Sequence, residues 1–302
     1  MSLAAESRLA SPCVGICRLD PDTGWCLGCA RDARELALWR DLAPAAQERI
    51  WDDLPRRKAV LGLAFRLLPL AGEALLDHLA GLARTPGTRW RIGVPGAGAD
   101  LGARAGETPA CALGEGGLLV RVAGGVLRLR PPAGARLFEL VGAAGRVEQL
   151  VLALHQARLR APPAASVTEL GRDAEAVAPE DRAASLFDLG VTAAASRFCV
   201  RTGAPALLAA LRRAEGCPAL DPASGLVPAL LAHAPDRVVL SPMGRIEVTG
   251  PIARPEGHGG PRTRLLPHLL VPEPAPGPEL PPGYVACASI HPDPDLRPAV
   301  VR

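Results

Sequence analysis

Lysine is almost absent from this 302-residue chain: Lys58 is the single one, and every other one of its 34 basic side chains is arginine. Aromatic residues make up only 3%, with one tyrosine, Tyr284. Against 31 acidic side chains the net charge is +3, too mild a surplus to argue for nucleic acid by itself. Arginine suits bidentate contacts with phosphate or carboxylate. A general bias toward Ala, Gly, Pro and Arg accounts for its abundance equally well.

Long apolar runs are missing too. A membrane span needs about eighteen or more uninterrupted apolar residues, and the best stretch, 59–68, is broken by Arg66 and then ended by Pro69. The opening MSLAAESRLASP lacks the apolar centre of a secretory signal. The expectation is a soluble, cytoplasmic protein without a membrane partner. In a reducing compartment its eight cysteines are not a disulfide framework. Clustered cysteines become metal ligands there, and the scattered Cys111, Cys199, Cys217 and Cys287 read as small apolar residues.

Hydrophobic residues at 48% are enough for a real core, while Gly and Pro, 32 of each, imply long loops without making disorder the default. Tryptophan is unevenly spread. Trp25, Trp39 and Trp51 precede residue 52, and only Trp90 follows. That shift marks a small module over residues 1–58, ahead of a larger domain over 59–302 with a subdivision near 161–166.

The fold class expected is α+β: a small four-cysteine metal module with two short helices, then a larger mixed α+β domain. In the module the pattern predicts a helix over 33–40 and a second beginning at Pro44. Beyond Lys58 it predicts a helical region interrupted at Pro69 and resumed over 71–84. Strands are expected over 90–94, 137–141 and 197–201, and hairpins over 118–130 and 238–249 around Gly124 and Gly244. Helices are expected over 147–159, 205–214 and 226–233, and an exposed loop over 271–282.

Cys13, Cys17, Cys26 and Cys29 are spaced C-x3-C-x8-C-x2-C. Two close pairs joined by a short loop can set four thiolates around one centre. Zinc takes such a set as a closed tetrahedral site, and an iron–sulfur cluster is held by four thiolates as well. Gly15 and Gly28 let the backbone turn tightly toward the sulfurs. Nearby formal charges, Arg18, Arg31 and Arg34 against Asp20, Asp22 and Asp32, cancel, so backbone amides are expected to do most of the stabilising. A closed site has no position for substrate, which argues against catalysis at the cysteines. A redox role for Cys26 and Cys29 alone lacks the preceding βα pattern.

The run SPCVGICRLDPDTGWCLGCARDARELALWRDLAPAAQERIWDDLPRR, residues 11–57, resembles a small bacterial family, domain of unknown function family 1289, labelled predicted iron–sulfur proteins. The resemblance covers all four cysteines, Gly28, Trp39, Leu42, Glu48 and Arg49. It departs at Asp32, where threonine is usual, and at Ala43, where serine is usual. Ala43 forfeits a side-chain helix cap of about 1 kcal/mol. A second resemblance, over residues 168–294, rests on TELGRDAEAVAPEDRAASLFDLGV, RFCVRT, GRIEVTGPI, GPRTRLLPHLL and PPGYVACASIHPDP, and points to another uncharacterised bacterial family. Its members tend to carry histidines on both sides of the threonine at 263, where this chain has Arg262 and Arg264.

In the larger domain Arg201, Arg262, Arg264, His268 and His291 are candidates for one pocket holding a small anionic ligand, with His258 nearby. Solvated loop residues are the plainer reading. Asp188, Arg197 and Arg201 read as a polar cluster around a strand. The loop 96–102 follows a strand but lacks the helix that a dinucleotide fingerprint opens. No G-x-S-x-G, H-E-x-x-H or phosphate-loop lysine motif occurs. The sequence thus points to a metal-binding protein, zinc or iron–sulfur, in a non-catalytic accessory or regulatory role, with a body that binds a protein or ligand. The alternatives are electron transfer, an enzyme with its pocket in the larger domain, and nucleic-acid binding through Arg56, Arg57 and Lys58, which would weaken steeply with salt.

Overall fold

The computed structural model describes residues 12, 19–26, 29–63, 65–94, 97–141, 147–159, 165–193, 195–252, 261–263, 280–281 and 283–291. The expected loop over 271–282 lies almost wholly outside them.

Helix α1, Ala33–Leu38, starts at Asp32, whose carboxylate accepts from the Glu35 amide at 2.8 Å while Glu35 accepts from the Asp32 amide at 3.0 Å. This reciprocal capping box fully replaces what a threonine would do there. Helix α2, Pro44–Val60, starts at Ala43 with no side-chain cap. Proline in its first turn supplies the helical φ instead. α2 is not short: it runs for 17 residues, through Pro55.

The segment after α2 is not helical as expected. Strand β1, Phe65–Leu67, pairs antiparallel with the strand Arg136–Val141, so the apolar run serves a sheet edge. Helix α3, Gly72–Arg84, follows and buries Leu75, Leu79, Ala80 and Ala83. Then come strands β2 Arg89–Val94, β3 Ala97–Gly102, β4 Ala110–Gly114, β5 Gly117–Val122, β6 Gly125–Leu129, β7 Arg136–Val141 and β8 Val147–His155. They continue as β9 Thr168–Arg172, β10 Ser185–Ala193 and β11 Ser196–Thr202, ahead of helices α4 Pro205–Arg213 and α5 Leu226–His233. β12 Asp236–Ser241, β13 Gly244–Val248, β14 Arg262–Thr263 and β15 Tyr284–His291 complete the described elements. The fold class is α+β, with helices beside two antiparallel sheets.

One sheet has the order β1-β7-β8-β15-β2-β3-β14, the other β4-β5-β6-β13-β12-β11-β10-β9. They face each other across one core. Trp90, Ile92, Leu101, Leu152 and Ile290 of the first meet Leu127, Phe187, Phe198, Val239 and Ile246 of the second. Helices α3, α4 and α5 add Leu79, Leu207, Leu211, Leu226 and Leu230 to it.

Residues 147–159, expected as a helix, form β8 and a 3-10 turn, Gln156–Arg158. The cause is burial on both faces: Leu150, Leu152 and Leu154 enter the shared core, and Val151 and Ala153 enter a second cluster outside the sheet. A strand covered on both sides loses its alternation and reads like a buried helix. That outer cluster also contains Leu67 and Phe138 and is covered by Trp51 of α2 and by Tyr284. The expected hairpins form at β5–β6 and β12–β13. At Gly244 a Cβ would stand 2.0 Å from the Arg128 carbonyl oxygen, so the close approach of β13 to β6 admits only glycine. Residues 97–102 of the expected loop form the strand β3, paired back on β2, in place of the helix a dinucleotide turn would open.

Candidate functional site

Cys26 and Cys29 lie in a tight turn that the backbone closes upon itself. The Ala30 amide donates to the Cys26 carbonyl at 2.7 Å, and the Cys26 amide donates to the Arg31 carbonyl at 2.8 Å. Ala30 takes φ +60 to allow it, a left-handed conformation that costs a non-glycine residue about 1 kcal/mol. The preceding loop is pinned in turn. Asp20 accepts from the Thr23 amide at 2.9 Å and hydroxyl at 2.7 Å, and the Asp20 amide donates to the Trp25 carbonyl at 2.8 Å. Leu19 and Cys26 form an antiparallel bridge. Cys13 and Cys17 lie outside the described residues.

Both sulfur-bearing residues are buried, and so are two cations beside them: Arg31 is 2% exposed and Lys58 3%. The Arg31 Nε–H points at the Cys29 sulfur at 3.4 Å, and its guanidinium lies 4.8 Å from the centre of the Trp39 ring. Trp39 is held by Gln47, whose side-chain amide donates to its carbonyl at 2.8 Å. One terminal nitrogen of Arg31 and the Lys58 Nζ have no hydrogen-bond partner among the described residues. Burial pulls the Lys58 ammonium down to about 8, opposed by the Cys29 thiolate. Burial pushes the Cys29 thiol up, opposed by Arg31.

Arg31 is buried against Cys29 and Lys58 is buried on α2, whereas Asp20 and Asp32 are engaged in turn and cap. Two buried cations, each with one nitrogen lacking a hydrogen-bond partner among the described residues, suit a donor set of net negative charge. A zinc tetrathiolate and an oxidised four-iron cluster on four thiolates both carry about two negative charges. The residues present fit such a group. Among the described residues no three His, Cys, Asp or Glu side chains gather as metal ligands; Cys26 and Cys29 supply two.

Arg57 does a different job. It clamps Glu35 through both terminal nitrogens at 2.7 and 3.0 Å and reaches Asp53 at 2.6 Å, which ties α2 to α1. Arg56 pairs with Asp53 at 2.7 Å in solvent. Of the three basic residues in this stretch only Arg56 is presented outward.

On the opposite side of the molecule, the outer face of the second sheet carries a buried ion network. Arg201 donates to Glu247 at 2.6 Å, Asp181 at 2.6 Å, Asp236 at 2.9 Å and Asp173 at 3.2 Å. Arg245 grips Asp173 with two bonds of 3.0 and 2.6 Å. Asp173 and Glu247, both fully covered, balance the two guanidiniums, while Asp181 and Asp236 are part-exposed at the rim. Asp173 and Asp181 come from the connection between β9 and β10, so the network fastens that connection to the sheet. Asp188 stands apart, accepting from the Gly190 amide at 2.9 Å and facing Arg197 at 3.8 Å.

Of the five residues expected to line one pocket three are described, Arg201 on a strand of the second sheet and Arg262 and His291 on strands of the first. Arg201 is spent on carboxylates and lies outside the second sheet. His291 is registered opposite Arg89, and Arg262 opposite Asp100, on the first. Arg264, His268 and His258 lie outside the described residues. Cys199 and Cys287 are buried as expected, burial pushing the Cys287 thiol up to about 11; Cys111 is half-buried, and Cys217 is exposed rather than in the core. Sequence reasoning missed Lys58 as a site residue and the carboxylate ring around Arg201. Only the burial of the one lysine in the chain could have drawn attention to it.

No helix among the described residues is long and apolar enough to cross a membrane. Neither a curated protein nor a solved structure matches the chain. Residues 11–58 match the model of DUF1289, a protein family of unknown function. A second match reaches well beyond the 168–294 segment that carried the resemblance. It spans residues 74–300, and by it the chain belongs to DUF6925, a family of unknown function.

Proposed function

We propose that this is a metal-binding protein in which Cys13, Cys17, Cys26 and Cys29 hold one closed tetrathiolate centre. The observation that carries the reading is the buried Cys26 and Cys29 with Arg31 buried against Cys29, and Arg31 and Lys58 each keeping a nitrogen without a hydrogen-bond partner among the described residues. A buried ammonium without a counter-charge is costly, and a centre of about two negative charges removes that cost. Cys26 and Cys29 would bind through their sulfurs, Arg31 would orient Cys29, and the turn through Ala30 would set the spacing. Bound zinc would supply folding energy to a module too small to hold itself together. Bound iron and sulfide would supply a one-electron couple.

The body then acts as an accessory platform for a protein or small anionic ligand. The ligand reading is confined to the side bearing Arg262 and His291, with Arg201 removed from it by its four carboxylate partners. Oxygen-free purification of the full chain, followed by a visible spectrum and assays of zinc, iron and sulfide, tests the proposal. One zinc and no colour, or broad visible absorption with iron and sulfide, supports it and names the metal. A colourless chain with none of the three overturns it.

A further inference from the structure

Among the described residues the two sheets end in the edge strands β1, β14, β4 and β9, and all but β4 are guarded against pairing. β1 has three residues, Arg66 among them, and β14 has two, Arg262 among them. β9 carries Glu169 and Arg172 and slips register against β10. Short length, charge and a bulge are the usual devices that keep an edge from adding a strand. β4 has no charge and no bulge: Ala110, Cys111, Ala112, Leu113 and Gly114 pair with β5 in unbroken register. Helix α3 packs beside β4 and β5, yet Ala110, Ala112, Leu113 and Gly114 are exposed, Leu113 by 42%.

The β4–β5 hairpin fixes which groups that edge offers. Its loop is Glu115 and Gly116, so Gly114 and Gly117 close it as a hydrogen-bonded pair. The alternation of an antiparallel ladder then turns the backbone groups of Ala110 and Ala112 toward β5 and those of Cys111 and Leu113 outward. Such a strand is its own complement about a two-fold axis through Ala112. Cys111 would exchange both backbone bonds with the partner's Leu113, and Ala110 would stand opposite the partner's Gly114. The charges just beyond the strand match as well. Arg121 of β5 is registered opposite Ala110, so the partner's Glu115 would come to rest near it, and the same contact recurs across the axis. Both of these side chains are exposed.

We infer that β4 is the docking edge of a symmetric homodimer, in which two copies of the second sheet join antiparallel through Cys111 and Leu113. A two-fold contact uses the same patch on both copies and closes. Main-chain bonds along the strand hold it, and the flanking side chains set its register. The guarded β9 is then the outer edge on both sides. The inference is independent of the cysteine centre.

Sedimentation equilibrium of the full chain should return the mass of two copies. Leu113→Lys sets a charge on the pairing edge at an exposed position, so that variant should keep its circular dichroism spectrum and sediment as one copy. Ala112→Cys brings two thiols face to face across the axis. They meet at a non-hydrogen-bonded pair, where Cα atoms stand about 4.5 Å apart, within the span of a disulfide. Mild oxidation should link this variant into a dimer on a non-reducing gel, well above the wild-type background. Ala110→Cys, displaced from the axis, should not exceed that background. A wild type that sediments as one copy overturns the inference; slow hydrogen exchange in its β4 would then place a segment of the same chain on the edge. A dimer that Leu113→Lys leaves intact, or that Ala112→Cys fails to cross-link, uses another surface and overturns it too.

Discussion

The Arg31 Nε–H lies 3.4 Å from the Cys29 sulfur, two residues back along the chain. Its guanidinium is held from the other side by the Trp39 ring, and Gln47 of α2 fixes Trp39. The cysteine turn is thereby braced by both helices of the module, with few apolar contacts needed. In so small a unit that is the available route to order.

Helix α2 begins at Ala43 without a side-chain cap. Ala43→Ser should supply an oxygen to the free amides of the first turn and raise the stability of the module by about 1 kcal/mol. Chemical unfolding followed by tryptophan fluorescence, which Trp25, Trp39 and Trp51 dominate, would show it as a higher midpoint. An unchanged or lowered midpoint would mean that the chain before Pro44 cannot place the hydroxyl.

Arg201→Met should be severely destabilising. It leaves Asp173 and Glu247 buried with one guanidinium instead of two, and breaking a buried pair on one side costs about 3–5 kcal/mol. Circular dichroism during urea unfolding measures this. A loss below about 1 kcal/mol would show that Arg245 alone balances both carboxylates.

Asp188 offers a test with a definite pH sign. Burial pushes its carboxyl above the usual value, outweighing the Gly190 amide and Arg197. A raised carboxyl contributes stability that is present below its unfolded value near 3.8 and is lost as pH rises through its folded value. Asp188→Asn keeps the acceptor for Gly190 and removes the charge. Relative to the parent, the variant should gain stability at pH 7 and lose that advantage near pH 3. Urea midpoints of both chains at the two pH values give the comparison, and an advantage that grows in acid would reverse the assignment.

What could be read from the sequence was local. Gly124 and Gly244 sit in turns whose chemistry is contained in four residues, and both hairpins were legible there. β8 was not legible, because sheet neighbours on one side and Trp51 and Tyr284 on the other bury both of its faces and erase the period. The network around Arg201 joins residues as far apart as Asp173 and Glu247, and no spacing rule connects them. The spacing of the four cysteines is read from the sequence alone, whereas the burial of Arg31 and Lys58 is not. α2 folds back against the turn, where Arg57 donates to the Ala30 carbonyl at 3.3 Å.

The central claim is one metal centre on the cysteine set, and the intact mass of the folded chain tests it most directly. Native mass spectrometry of the oxygen-free protein should exceed the denatured mass by one zinc ion or by one iron–sulfur cluster. That excess should vanish in Cys26→Ser and persist in Cys199→Ser. Equal native and denatured masses in the wild type, or an excess that survives Cys26→Ser, would contradict the account.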